Sequence, residues 1–268
     1  MPSRLPVSRQ RRLLLMLALA TALVGGCGGN KKTRDLAATL EELYQRGRKS
    51  MRSGNYRNAI SYYEALVARF PFSNQAKQAQ LDLIYCYYRN GDDELAIDAA
   101  TQFERENPTH PRVDYALYMR GLALFSGERN RFHKLLRMDL AKRPPVKARE
   151  SFSAFAQLVK RFPDSIYAPD ARQRMIFLRN RLAEHEIHVA RYYMRRGAYA
   201  AAVNRAKFVM QSYDGAPAVP EALDIMVEAY DKLGMHDLAD STRLVVQANY
   251  PDRPSARPRK KDKVFFIF

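Results

Sequence analysis

The chain has 268 residues and a formal net charge of +17, with 45 Lys and Arg against 28 Asp and Glu. Of its two cysteines one, Cys27, directly follows the leader as the expected acylation site, which leaves no disulfide framework, and no run after Cys27 is apolar enough to cross a bilayer. Such a basic chain suits nucleic acid, anionic lipid or an acidic protein face, and the export signal at its start argues against nucleic acid.

Residues 1–26 read as that signal. Arg4, Arg9, Arg11 and Arg12 form a basic region, Leu13 to Val24 is an apolar run too short to span as a helix, and Gly25-Gly26 is a small-residue junction before Cys27. The run Leu23-Val24-Gly25-Gly26-Cys27 resembles a bacterial lipobox, which makes Cys27 the expected acylated residue; an ordinary secretory signal with Cys27 incidental is the alternative. Each buried methylene contributes about 0.8 kcal/mol, so several acyl chains hold a soluble body at a bilayer without a spanning helix. Gly28 stands where an aspartate would signal inner-membrane retention, so delivery to the outer membrane is expected, with residues 27–38 as a flexible lipidated tether.

Thr39-Leu40-Glu41-Glu42 has the form of a capping box and opens the first helix. Leu43, Gly47 and Met51 lead to a turn at Gly54-Asn55; the pattern resumes as Tyr56, Ala59, Tyr63 and Leu66 and stops before Pro71. That is a helical hairpin. A shift of 37 residues lays Gly91, Ala96, Phe103 and Pro108 on the same frame, and the same shift from Gly197 reaches Gly234, Ala239, Val246 and Pro251. A fixed period of this length marks stacked hairpins of the tetratricopeptide kind, whose usual period is about 34 residues. Small residues at Gly47 and Ala59 let antiparallel helices approach to about 8–10 Å.

Asn107 to Pro111 cannot stay helical, and Val113 to Phe125 begins a third hairpin with Gly121 in the small-residue slot. Its second helix, expected from Lys147 to Phe162, is delayed by a basic insertion at 126–145 carrying Arg129, Arg131, Lys134, Arg137, Lys142 and Arg143, either a binding face or a solvated loop. Neither Pro nor Gly interrupts Asp170 to Arg196, which predicts one long helix or two nearly continuous ones. Hairpins four and five turn at Gly197 and Gly234. The expected fold is all-α, a right-handed superhelix of about five tetratricopeptide-like hairpins over 39–251, followed at 252–268 by a basic, aromatic-ended tail read as disordered.

Signals for catalysis are weak. In Glu184-His185-Glu186-Ile187-His188 the two histidines lie three apart, one residue short of the zinc-protease spacing, so a surface charge cluster is favoured over a metal site. Cys86, in the apolar run Leu81 to Tyr88, reads as a buried small hydrophobe. No cofactor or metal is expected. The first helices instead offer an inner wall at Tyr44, Arg48, Tyr85, Tyr88, Tyr115 and Tyr118, where tyrosines and a few cations would grip an extended peptide. The competing reading is that half of these rings serve packing between helices.

Arg69-Phe70-Pro71-Phe72, Gln80 to Tyr85, Asn107 to Pro111, Asp114-Tyr115, Tyr118 to Leu122 and Phe177 to Ala183 resemble the BamD family, lipoprotein subunits of the bacterial outer-membrane β-barrel assembly machinery, over roughly Thr39 to Tyr250. The resemblance implies a non-catalytic scaffold facing the periplasm. Its C-terminal repeats would dock the POTRA domains of a BamA-like barrel subunit and help bind small accessory lipoproteins, and its N-terminal repeats would receive the targeting segments of unfolded outer-membrane proteins. Asn204 and Arg205 match a family position at the BamA contact. The basic insertion and the tail depart from the family pattern. Val264, Phe266 and Phe268 alternate as in a barrel targeting strand, so the tail reads as a plug in the chain's own groove, a membrane-surface contact, or sticky disorder. A rival function is a periplasmic repeat adaptor for peptidoglycan or cell-wall enzymes; a metalloprotein using His185 and His188 is a third.

Overall fold

The computed structural model describes residues 39–126 and 144–257. The signal and tether with Cys27, all but the edges of the basic insertion, and the tail from residue 258 lie outside the described residues. Among the described residues stand ten α-helices and one short 3-10 turn: α1 Leu40–Arg52, α2 Tyr56–Arg69, α3 Asn74–Asn90, α4 Asp93–Glu106, α5 Val113–Ser126, α6 Val146–Arg161, α7 Ala168–Arg195, α8 Tyr199–Ser212, α9 Val219–Lys232, α10 His236–Asn249 and the turn Pro254–Ala256. The fold is all-helical, as the 37-residue frame requires. It forms two compact units, one up to Ala79 and one from Gln80 onward.

In the first unit α1 packs on α2. The capping box is present: Glu42 N–H donates to Thr39 Oγ1 at 3.2 Å, and Thr39 N–H donates to the Glu42 carboxylate at 3.1 Å. Asn55 caps α2 in turn, accepting from Asn58 N–H at 3.2 Å. Gly54 between them has φ +75°, a left-handed conformation that a side chain would strain, and Gly91, Gly197 and Gly234 hold the same role at φ +89°, +72° and +71°. Gly47 lies under the Tyr63 ring so closely that a Cβ there would stand 2.5 Å from it.

In the second unit one continuous core runs from Leu81 to Ala239. Gly121 repeats the Gly47 arrangement against Phe155, and buried Ser151 donates to the Gly121 carbonyl at 2.9 Å. The stretch expected as one helix or two is one, the 28-residue α7, with Pro169 at its first turn, where a missing N–H costs nothing. It packs against α6, α8 and α9 and so joins the third hairpin to the last two.

The hairpins are linked by one repeated connector. Phe70, Asn107, Phe162, Tyr213 and Tyr250 end the second helices with φ between −130° and −142°. Each of their carbonyls accepts from the N–H three residues on, at 3.0–3.1 Å, and the carbonyl of that residue accepts from the N–H a further three on, at 2.9–3.1 Å. The same connector moves the start of the tail. Residues 252–257, expected to be disordered, are folded against α9: Arg253 and Ser255 bond to Asp224, and Ala256 is buried beside Leu223, Val227 and Val246.

Gly121→Ala separates two opposing effects, since an interior helical Gly→Ala change alone stabilises by about 1 kcal/mol. Overpacking against Phe155 is expected to dominate and lower unfolding free energy by about 1–3 kcal/mol in urea titration, with recovery when Phe155→Leu is added.

Candidate partner-docking site

The antiparallel run of α7 and α8 about Gly197 brings Glu186 and Arg205 together. Glu186 is only 3% exposed, and its carboxylate accepts from the Arg205 guanidinium at 3.0 Å. A buried carboxylate needs such a donor, so Arg205 is held in one orientation, its outer side in solvent. Beside it a shallow cavity of about 350 Å³ is lined by Tyr193, Ala201, Asn204, Arg205 and Phe208. Phe208 is 41% exposed and rests edge-on against Tyr213, ring centroids 5.6 Å apart. Burial, then the Glu186 charge, raise the Tyr213 phenol above its ordinary range, with Arg149 opposing. A fixed guanidinium, an exposed amide and an exposed ring suit a partner offering a carboxylate or backbone carbonyls beside an apolar side chain.

The sequence placed Glu186 in a surface charge cluster, and the structure corrects this: it points into the core while Glu184 stays exposed. The run was misread because α7 was taken without its partner helix, and only the register against α8 shows which face is inward. His188 lines a second cavity of about 350 Å³ with Glu184, Arg191 and Glu221. No group of three His, Cys, Asp or Glu side chains placed to hold a metal occurs among the described residues.

The tyrosine wall falls in both units. In the first, Tyr44 faces Tyr63 with centroids 6.2 Å apart, and Arg48 lies 5.7 Å over the Tyr44 ring. In the second, Arg89 donates to the Tyr85 hydroxyl at 2.7 Å, and Tyr88 is half-buried against the core. Tyr118 stacks on Tyr167 at 4.7 Å and donates to Asp170 at 2.8 Å, while Tyr115 lies 5.7 Å from Tyr167 under the Arg112 guanidinium. Tyr115 and Tyr118 thus spend part of their surface on packing. Burial, reinforced by Asp170, pushes the Tyr118 phenol up to about 12, and burial raises Tyr115 further. Tyr167, Asp170 and Arg112 were missed by sequence reasoning. The run Tyr167-Ala168-Pro169-Asp170 does signal a helix start, but nothing in it tells which earlier helix it meets. Cys86 is buried, its thiol pushed up to about 12 by desolvation, as befits an inert core residue.

Comparison with known proteins adds an independent line. The family described as "YfiO: Outer membrane lipoprotein" matches residues 36–244. The chain is 42% identical over 248 residues to an outer membrane protein assembly factor BamD of Neisseria meningitidis, covering 91% of this chain and 93% of that one. It is 39% identical over 233 residues to the protein of the same name from Vibrio cholerae, covering 86% and 95%. Among solved structures, tetratricopeptide-like repeats of a Podospora anserina kinesin light chain cover 78% of this chain and 95% of that one at 16% identity, with a TM-score of 0.35, too low to carry an argument.

Two measurements follow from this geometry. Arg205→Met strands the buried Glu186 carboxylate and is expected to lower stability by about 1–3 kcal/mol, most of it regained when Glu186→Gln is added; a urea double-mutant cycle reads the coupling. Tyr118 keeps its proton in the folded state above the ordinary pKa of about 10, so its contribution is complete below that pH and is lost as pH rises toward about 12. Unfolding free energy should fall over that window, less steeply in Tyr118→Phe.

Proposed function

Because the chain belongs to the outer-membrane lipoprotein family of BamD assembly factors, we propose that it is the lipid-anchored scaffold that brings unfolded outer-membrane proteins to a barrel-forming subunit. It is an outer-membrane assembly factor and not an enzyme, so its work is binding and positioning. In this reading Cys27 carries the acyl chains that hold the body at the outer-membrane lipid. The C-terminal repeats dock the POTRA domains of a BamA-like subunit through Asn204 and Arg205, with small accessory lipoproteins bound nearby. The tyrosines of the earlier helices, Tyr44 with Arg48 in the first unit and Tyr85, Tyr88, Tyr115 and Tyr118 in the second, take the targeting segments of substrate proteins.

The observation that carries the docking role is the Glu186–Arg205 pair. A buried carboxylate fixes an arginine that is about half exposed, and Asn204 and exposed Phe208 flank it, so the surface is ordered before a partner arrives. Rings paired with guanidinium groups support the groove in the same way, because each offers a flat face or a donor to a backbone with little regard for its sequence.

The test is purification of the tagged full-length protein from its native membrane in mild detergent, followed by identification of stoichiometric partners. A barrel protein with POTRA domains should co-purify and be lost on Asn204→Arg, which leaves the Glu186–Arg205 pair in place. Recovery of the protein alone, or with cell-wall enzymes instead, would overturn the reading in favour of a repeat adaptor.

A further inference from the structure

The repeat positions that carry the tyrosine wall recur on α7 and α9 with other side chains. Counted from Gly47, Gly121 and Ala190, which share one place in the hairpin frame, Tyr44, Tyr118 and Ile187 each stand three residues before, and Arg48 and Arg191 each one after. Tyr115 stands six before Gly121, as Glu184 stands before Ala190 and, 37 residues on, Glu221 before Val227. Glu184, Ile187, Arg191 and Glu221 therefore continue the wall, and with His188, Pro217 and Ala218 they line one cavity of about 350 Å³.

The sides of this cavity are held in place. Arg191 on α7 pairs with Glu221 in the first turn of α9, and the Arg179 guanidinium donates to the Asp214 and Gly215 carbonyls at 2.9 and 3.0 Å, which pins the connector that supplies Pro217 and Ala218. Ile187, Pro217 and Ala218 make an apolar wall. The Arg191–Glu221 pair cancels its own charge, which leaves exposed Glu184, whose carboxylate has no partner among the described residues. An apolar wall beside one uncompensated carboxylate suits a lysine or arginine, whose methylene stem covers the wall while its head meets the charge.

The distance from the tyrosines is set by α7. Asp170, Arg174, Phe177, Arg181, Glu184 and His188 follow one another at spacings of three and four and so share one stripe of that helix. Tyr118 donates to Asp170 at 2.8 Å at one end of the stripe, and Phe177, 51% exposed, lies midway. Asp170 and Glu184 are fourteen residues apart, about 21 Å along the helix, which an extended peptide covers in about six residues.

We propose that the cavity selects a basic side chain in the peptide that the tyrosines take, a lysine or arginine about six residues from the side chain seated at Tyr118. Its head meets Glu184 and its stem lies along Ile187, Pro217 and Ala218. The inference rests on the reading of the tyrosines as a peptide wall, and adds to it a charge requirement and a register.

The test uses the full-length lipidated protein in detergent and three fluorescent peptides read by anisotropy. Each carries a Tyr-Phe pair and, about six residues on, a lysine, a glutamine or a glutamate. The lysine peptide should bind about fivefold more tightly than the glutamine peptide, a preference that the net charge of +17 would by itself oppose. Glu184→Gln should abolish the preference, and Glu184→Lys should turn it toward the glutamate peptide; Glu184 is exposed and unpaired, so both variants should fold. Moving the lysine three residues toward the aromatic pair should also abolish it. Equal affinity for the three peptides, no binding, or a lysine preference that survives Glu184→Gln or ignores position would overturn the cavity. Tyr85→Ala combined with Tyr88→Ala reads the wall separately: unchanged affinity there, with the Glu184 swap still redirecting it, would leave the cavity standing and remove the wall.

Discussion

The structure depends on how closely the two helices of a hairpin approach, and that distance is set by a size exchange at one pair of positions. In the first hairpin the pair is Gly47 and Tyr63, in the third Gly121 and Phe155: a glycine on the first helix, a ring on the second, with no room for a Cβ. On the 37-residue frame the second hairpin reverses the assignment, with Ile84 on the first helix and Ala100 on the second, both buried. The fourth holds Ala190 and Ala206, both small and buried. Helix spacing follows the side chains between the axes, so a large residue is accommodated where its partner gives way. Neither helix can change alone, which ties the hairpin together as a unit.

Stacking the units needs a second constraint, and the connector supplies it. The backbone bonds after Phe70, Asn107, Phe162, Tyr213 and Tyr250 give the carbonyl at each helix end a partner within the connector itself. Because the backbone bonds are the same each time, the chain leaves each of these helix ends by the same local path. α7 then sets the position of the docking site. It is twice as long as α8 and packs on α6, α8 and α9, and the Glu186–Arg205 pair joins it to α8.

Much of this was legible in the sequence because it is local or periodic. Gly54, Gly91, Gly197 and Gly234 announce turns, since only glycine enters the left-handed region without strain, and Thr39 with Glu42 announces a helix start by chemistry confined to four residues. What could not be read depends on partners distant in the chain. Glu186 looks like its charged neighbours until α8 is placed beside it. Tyr118 belongs to the proposed inner wall and is also bonded to Asp170, 52 residues later, a pairing that no spacing rule predicts. The folding of residues 252–257 was hidden for another reason: their Pro and Arg content resembles a disordered tail, and only comparison of the five connectors shows a structured path.

The end of the array follows from the same size rule by substitution of charge. In the pair of positions that set helix spacing, the last hairpin holds Val227 and Arg243, so a guanidinium stands where Ala100 and Ala206 stand in α4 and α8. Arg243 is 9% exposed, and Asp231 and Asp240 both pair with it. On the same frame Asp240 takes the place of Ile97 and Val203, and Asp224 that of the buried Ile187. These ion pairs occupy only part of α10, which also exposes Leu238, Leu244 and Val245. Residues 219–249 carry six acidic side chains against Lys232 and Arg243, so this hairpin is electrostatically distinct from the rest of a basic chain.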